Sequence, residues 1–276
     1  MRCCVFDMHS HLLPGVDDGA RSWEEAVALA RSAHELAGVT HLALTPHWVE
    51  GQRNVSPSQV LEGAGRLRAM LAAERIPVEL LAGAEVYLAP ELPRLLRAGE
   101  LLTLGGHGRH LLVELPLTGL PGFTERLLFE LALEGVTVIL AHPERNAELA
   151  RSPRRVAGLV RRGALVQLNA GSLVGAYGRP VRLAAEYLAR RHLVHFLGSD
   201  VHHRPFEGFG AARRRLAELA GEEAARAILW QYPEAVWQGR GREGPRAGRA
   251  RAAAPPCASL VARPPLVRRG AAAWVT

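Results

Sequence analysis

His9 and His11, in the run Phe6-Asp7-Met8-His9-Ser10-His11-Leu12-Leu13-Pro14-Gly15, set two imidazoles two residues apart at the end of a short apolar stretch. Side chains alternate between the faces of a strand, so such a pair projects to one side and can share an ion. A lone His-x-His is more often a pair of polar residues at a strand end. Here the pattern repeats, because His, Asp or Glu recurs just past five further apolar runs. These are Thr45-Pro46-His47, Gly83-Ala84-Glu85, Val113-Glu114, Ala141-His142-Pro143-Glu144-Arg145 and Gly198-Ser199-Asp200-Val201-His202. Imidazole and carboxylate without thiolate suit Mn²⁺, Fe²⁺ or Zn²⁺ over softer ions. Clustered divalent ions activate water and neutralise phosphoryl oxygens. Arg145, three residues beyond His142, and Arg204, two beyond His202, are placed to offer planar donor forks to those oxygens.

Such groups need a scaffold that brings distant chain positions together. Residues 1–200 alternate short apolar runs with segments of helical periodicity. The strand candidates are Cys3–Met8, His41–Thr45, Val78–Ala82, Leu111–Leu115, Val136–Ala141, Leu165–Asn169 and Val194–Gly198. Helices are expected near 23–37, 57–74, 123–134, 153–162, 180–191 and 208–220. Ser22-x-x-Glu25 reads as a capping box, and Ser56-Pro57 as an N-cap followed by proline in the first turn. Gly38, Gly135 and Gly163 fall where a helix end favours a left-handed residue. Seven strands alternating with helices give an open parallel sheet or a βα barrel. An open sheet would spread the candidates along a wide edge, whereas a barrel draws its strand ends to one mouth. The expected fold is an α/β barrel.

The bulk numbers narrow the function. A chain of 276 residues with 48% hydrophobic content can bury one large core. No apolar run is long enough to cross a bilayer, and residues 1–10 do not read as a signal peptide. Three cysteines, two of them adjacent, fit a reducing cytoplasm better than a disulfide scaffold. The formal charge is +7, but residues 241–276 carry seven arginines and one acid, which leaves +1 for residues 1–240. That near-neutral body gives no reason to invoke nucleic acid. The Arg/Ala/Pro/Gly-rich tail 241–276 is expected to be poorly ordered, beside a folded body of residues 1–240. There is no lysine, which excludes a Schiff-base, phosphate-loop or carboxylated bridging lysine.

Taken together, Asp7-x-His9-x-His11, Asp17-Asp18-Gly19, Thr45-Pro46-His47, Glu85, Glu114, His142-Pro143-Glu144-Arg145 and Gly198-Ser199-Asp200-Val201-His202 resemble the PHP superfamily. Within it they look most like the CpsB/CapC type, bacterial metal-dependent protein-tyrosine phosphatases of capsule and exopolysaccharide operons. The resemblance covers about residues 5–237. It implies a distorted (β/α)7 barrel of the PHP type with three divalent ions, manganese first and iron or zinc as the other choices. His9, His11, Glu85 and Asp200 would hold one ion. Glu85, as a bridge, with Glu114 and His142 would hold a second, and Asp18, His47 and His202 a third. Arg145 matches the family motif, and Asp7 is expected to orient an imidazole. The implied activity is hydrolysis of phosphotyrosine in a protein. The implied partner is a membrane-associated tyrosine autokinase that controls polysaccharide export, met in the cytoplasm without membrane insertion.

Other residues read as structural. His34, His41, His107, His110, His192 and His195 fall away from the expected mouth, while His203 adjoins it. Trp230, Tyr232 and Trp237 read as core or capping aromatics that close the barrel. Cys257 and Arg263 have the bare spacing of thiol-dependent tyrosine phosphatases, but flanking prolines and the lack of glycine deny them a phosphate-cradling loop. A small-molecule phosphatase such as histidinol phosphatase shares the barrel and ligand logic. An amidohydrolase with a carboxylated lysine is excluded by composition. A non-catalytic PHP module would be expected to show degenerate ligand positions.

Overall fold

The computed structural model describes residues 4–240, except Arg53, Arg204 and Phe206. Arg204, the tail 241–276 and the Cys257/Arg263 pair therefore lie outside the described residues. Every strand pairing is parallel. One sheet is formed by β1 (Phe6–Asp7), β2 (His41–Leu44) and β4 (Glu79–Ala82), in that order. The other runs through β3 (His47–Trp48), β5 (Glu85–Tyr87), β6 (His110–Glu114), β7 (Thr137–Ala141), β8 (Leu165–Asn169) and β9 (Phe196–Gly198).

The nine segments occupy seven barrel positions, because β3 continues the course of β2 and β5 that of β4. Pro46 lacks the N–H needed to carry the first ladder through. At the second break a Cβ on Gly83 would lie 2.5 Å from Leu104 Cδ2, so any larger residue would have to displace that side chain. The two sheets join where Ser10 bridges Val201, with the His11 amide donating to Val201 O at 2.9 Å and the Asp200 amide to His9 O at 2.9 Å. The result is a distorted, closed βα barrel, as the sequence implied.

The six expected helices are present as α1 (Trp23–Ala37), α2 (Pro57–Ala73), α4 (Thr124–Leu133), α6 (Val156–Arg161), α8 (Arg179–Arg190) and α9 (Phe209–Ala220). Ser22 Oγ caps α1 by accepting from the Glu25 amide, but Glu25 turns to the Arg21 amide and leaves the box half made. The complete reciprocal box belongs to Ser56 and Gln59 on α2. Gly38 ends α1 at φ 68°, the left-handed conformation its position called for. Short helices that the periodicity did not reveal are α3 (Leu92–Arg97), α5 (Ala147–Arg151), α7 (Ala170–Leu173), α10 (Glu222–Arg226) and α11 (Tyr232–Trp237).

One apolar layer fills the space between strands and helices. A second, made of Phe6, Met8, Leu81, Leu112, Ile139, Phe196 and Val236, packs together with Trp230, Tyr232 and Trp237 against it. With that end filled by carbon, the polar groups collect at the carboxyl ends of the strands, where barrel sites form.

Candidate metal centre

His9 and His11 lie just beyond β1 and flank Ser10, whose bridge to Val201 keeps the local backbone extended. Both are fully buried. The His9 Nδ1–H donates to Gln167 Oε1 at 3.0 Å and the His11 Nδ1–H to Asp17 Oδ2 at 2.7 Å. Their Nε2 atoms then present lone pairs, and these lie 3.0 Å apart. Two lone pairs at that separation repel unless a cation or a proton sits against them. Beside them Glu85 Oε2 is buried without a hydrogen-bond partner, 3.1 Å from His9 Nε2, 3.4 Å from His11 Nε2 and 3.0 Å from His47 Nδ1. The donor set therefore fits bound divalent ions.

Three groups of side chains bring ligand atoms close enough to hold an ion: His9, His11, Glu85 and Asp200; His11, Asp18, His47 and His202; and His47, Glu85 and Glu114. Eight of the nine residues singled out as ligands fall in these groups, and His142 lies beside them; two groupings differ, since His11 also joins Asp18, His47 and His202. His47 stands beside Glu85 and Glu114, where His142 was expected, although His142 Nε2 lies 3.0 Å from Glu85 Oε1 and 3.9 Å from Glu114 Oε1. The first group is buried, with Asp200 alone of its members lining the cavity, while the Asp18 side chain is 72% exposed and faces the opening.

The electrostatics are those of a dense alternation of charge. Burial alone would lower the His9 imidazole, but Glu85 and Asp200 push it up to about 9. Burial would raise Glu85, yet His9, His11, His142 and His47 hold it well below the usual carboxylate range. Positive charge is demanded here, and divalent ions would supply it while displacing ring protons.

Several supports were missed in the sequence. Gln167, fully buried, accepts from both the His9 ring and the His142 amide, the latter at 3.2 Å. Asn169 donates to Asp200 Oδ2 at 2.8 Å and to the Tyr177 hydroxyl at 3.3 Å. Gln167 and Asn169 alternate on β8, and buried amides in an apolar strand require partners; that was the available signal. Asp17 supports His11 and the His47 amide. Asp7 does not orient an imidazole: its Oδ1 accepts from the backbone amides of His9 and Ser199, which tie β1 to β9. His142 and Asp200 adopt positive φ, 28° and 56°, a strain of about 1–3 kcal/mol each that surrounding contacts must sustain.

Above the ions' place lies a cavity of about 320 Å³. Asp18, His47, Glu114, His142, Asp200 and His202 form its polar base, with Arg145, Tyr177 and His203 around it. The Arg145 guanidinium stacks over the Tyr177 ring at 4.6 Å. The remaining histidines sit elsewhere: His34 bonds Val39 O, His41 stacks on Phe6, His107 bonds Trp237 O, and His195 Nδ1 accepts from the Val166 amide.

Fold and site together define a parallel βα barrel with a histidine- and carboxylate-rich candidate metal centre at its mouth. The chain belongs to the CpsB/CapC family of capsular polysaccharide synthesis, whose model matches residues 5–238. It is 34% identical over 198 residues to the tyrosine-protein phosphatase YwqE of Bacillus subtilis, spanning 72% of this chain and 77% of that one. Identity to the tyrosine-protein phosphatase CpsB of Streptococcus pneumoniae is 27% over 203 residues, 72% and 83% of the two chains. A structure from work on YwqE and CpsB, described there as unique metal-dependent tyrosine phosphatases, superposes with a TM-score of 0.79 at 32% identity, covering 85% of this chain and 95% of that one.

Proposed function

We propose that this protein is a divalent-metal-dependent protein-tyrosine phosphatase of capsule or exopolysaccharide synthesis. The observation that carries the reading is the meeting of nine candidate ligands beneath Arg145 in a chain of the CpsB/CapC family. His9, His11, Asp18, His47, Glu85, Glu114, His142, Asp200 and His202 would hold the ions, three in number, with manganese first and iron or zinc as the other choices. Bound there, such ions supply Lewis acidity toward phosphoryl oxygens and lower the pKa of water.

The chain's own residues do the rest. Gln167 and Asp17 fix the tautomers of His9 and His11, leaving Nε2 free to bind. Arg145, one quarter exposed, offers guanidinium N–H groups to the non-bridging oxygens of the phosphate. Arg204 is assigned as a second donor on its sequence position alone. Burial keeps bulk water from His9, His11 and Glu85.

The substrate class is a phosphotyrosine protein, and the partner we assign is a membrane-associated autokinase of polysaccharide export. The cytoplasm is the assigned compartment, supported by sparse cysteine usage; among the described residues no helix is long and apolar enough to cross a membrane. Residues 1–240 are taken as the catalytic body and 241–276 as an appended tail. The test is metal content measured beside phosphotyrosine-peptide turnover. Chelation should abolish release of phosphate and Mn²⁺ should restore it; full turnover by metal-free protein would overturn the reading.

A further inference from the structure

Between Glu148 and Glu186 the chain holds seven arginines and no acid, so residues 149–185 carry +7 and the rest of residues 1–240 carry −6. The fold decides where that charge lies. Arg145 and α5 follow β7 at its carboxyl end, and the loop 174–178 follows β8 at the same end. α8 starts at Arg179, two residues after the cavity residue Tyr177, and packs against α5 and the turns 143–145 and 153–155. Arg182 lies back over the loop, its Cδ 3.6 Å from where a Cβ on Gly175 would sit. Arg151, Arg154, Arg179 and Arg182 are therefore carried on neighbouring segments that follow β7 and β8 on the mouth side of the barrel, and all four are exposed.

Some exposed arginines elsewhere are tied to carboxylates, as Arg97 is to Glu134 and Arg94 to Glu100, while others, such as Arg75 and Arg109, stand singly without one among the described residues. Arg155 and Arg162, from the same stretch, are tied to Glu148 and Glu125. Among the described residues no carboxylate pairs with any of the four rim arginines. Gathering four uncompensated guanidinium groups is unfavourable for the free protein, and an anionic partner relieves it. A peptide whose phosphorylated side chain enters the cavity must lay its neighbouring residues on the lip. We propose that this arginine rim docks acidic residues flanking the phosphotyrosine of the substrate, a specificity element that rests on the phosphatase reading.

The test uses the full chain loaded with Mn²⁺ and two phosphotyrosine peptides of equal length, flanked by Glu or by Gln. At low ionic strength kcat/KM should favour the Glu peptide by about 3- to 10-fold, expressed in KM, and salt should erase the preference. Arg179→Gln with Arg182→Gln should reduce the ratio toward unity, and Arg179→Glu with Arg182→Glu should invert it. Arg151→Gln with Arg154→Gln provides an independent pair. Equal kcat/KM for both peptides, or a preference that survives the substitutions, overturns the proposal. Wild-type turnover of p-nitrophenyl phosphate separates the two readings: equal peptides with turnover sink only the rim, and no turnover of any substrate sinks both. Binding of phosphatidylserine vesicles that the substitutions abolish, with equal peptide rates, would assign the rim to lipid and overturn it.

Discussion

Arg145 Nη1 lies 2.6 Å from Asp200 Oδ2, while the other oxygen of Asp200 faces the Nε2 atoms of His9 and His11 at 3.5 and 3.4 Å. One carboxylate thus joins the phosphate donor to the candidate ligand cluster. The sequence suggested a clean division, with arginines serving substrate and histidines serving ions. The pairing couples them. Arg145→Ala should cut peptide turnover about 10²–10³-fold, as expected for one preorganised donor. It should also lower metal content, though less than Asp200→Ala, because Asn169 still holds Oδ2. Arg145→Lys should rescue only partly, since an ammonium cannot form the fork. Metal analysis beside kinetics decides it; unchanged turnover in Arg145→Ala would count against the donor role.

Gln167→Leu removes the acceptor that fixes the His9 tautomer and the His142 amide. Metal affinity should fall about 10- to 100-fold with the far-ultraviolet circular dichroism retained. Binding isotherms matching wild type would show that His9 needs no such partner.

Gly198→Ala would set a Cβ 2.5 Å from His9 Cβ and 2.6 Å from Gln167 Nε2. We expect destabilisation of about 1–3 kcal/mol from overpacking, read as a lower midpoint of unfolding. Gly65→Ala, inside α2 with nothing within 4 Å of the new methyl, should instead stabilise by about 0.5–1 kcal/mol. The opposite signs are the check.

His110 is buried with its Nδ1 unpartnered, and burial, reinforced by Arg109 and His107, lowers its pKa to about 4. The unfolded imidazole titrates near 6.5, so between about pH 4 and 6.5 the unfolded state binds the extra proton. Stability should therefore fall on acidification through that window, by about 1–3 kcal/mol from this residue. In chelated protein, His110→Leu should flatten that part of the stability profile; an unaltered slope would place the proton elsewhere.

A chain ending at residue 240 should keep its metals and its peptide turnover, and Cys257→Ser in the full chain should leave the rate at the wild-type value. Loss of metal on truncation would show that the tail supports the barrel.

The seven strand positions and six of the helices were legible because they combine a period with a stop signal: proline, a capping serine or a helix-ending glycine. The ligands were legible because they repeat at strand ends. What stayed hidden depends on tertiary contact. The interruptions at Thr45-Pro46 and Gly83-Ala84, which split two strands between two sheets, coincide with a missing N–H at Pro46 and with a glycine packed closely under Leu104. Tyr177 carries no spacing signal, and only the path of the loop after α7 brings it beneath Arg145. Asp7 was misread because its alternation with His9 was right but its target, two backbone amides, leaves no trace in sequence.

Glu85, His11 and His47 each stand in two of the three ligand groups, but a carboxylate and an imidazole differ in what they can share. A carboxylate has two oxygens, and those of Glu85 already point different ways, one toward His142 and one toward His9, His11 and His47. An imidazole whose Nδ1–H is committed to Asp17 has one lone pair left, so His11 can serve a single ion at a time. Uptake at the centre would then be a linked equilibrium. An ion that took His11 would leave its neighbour one ligand short, and the open group around Asp18 is the one with solvent at hand to make up the loss.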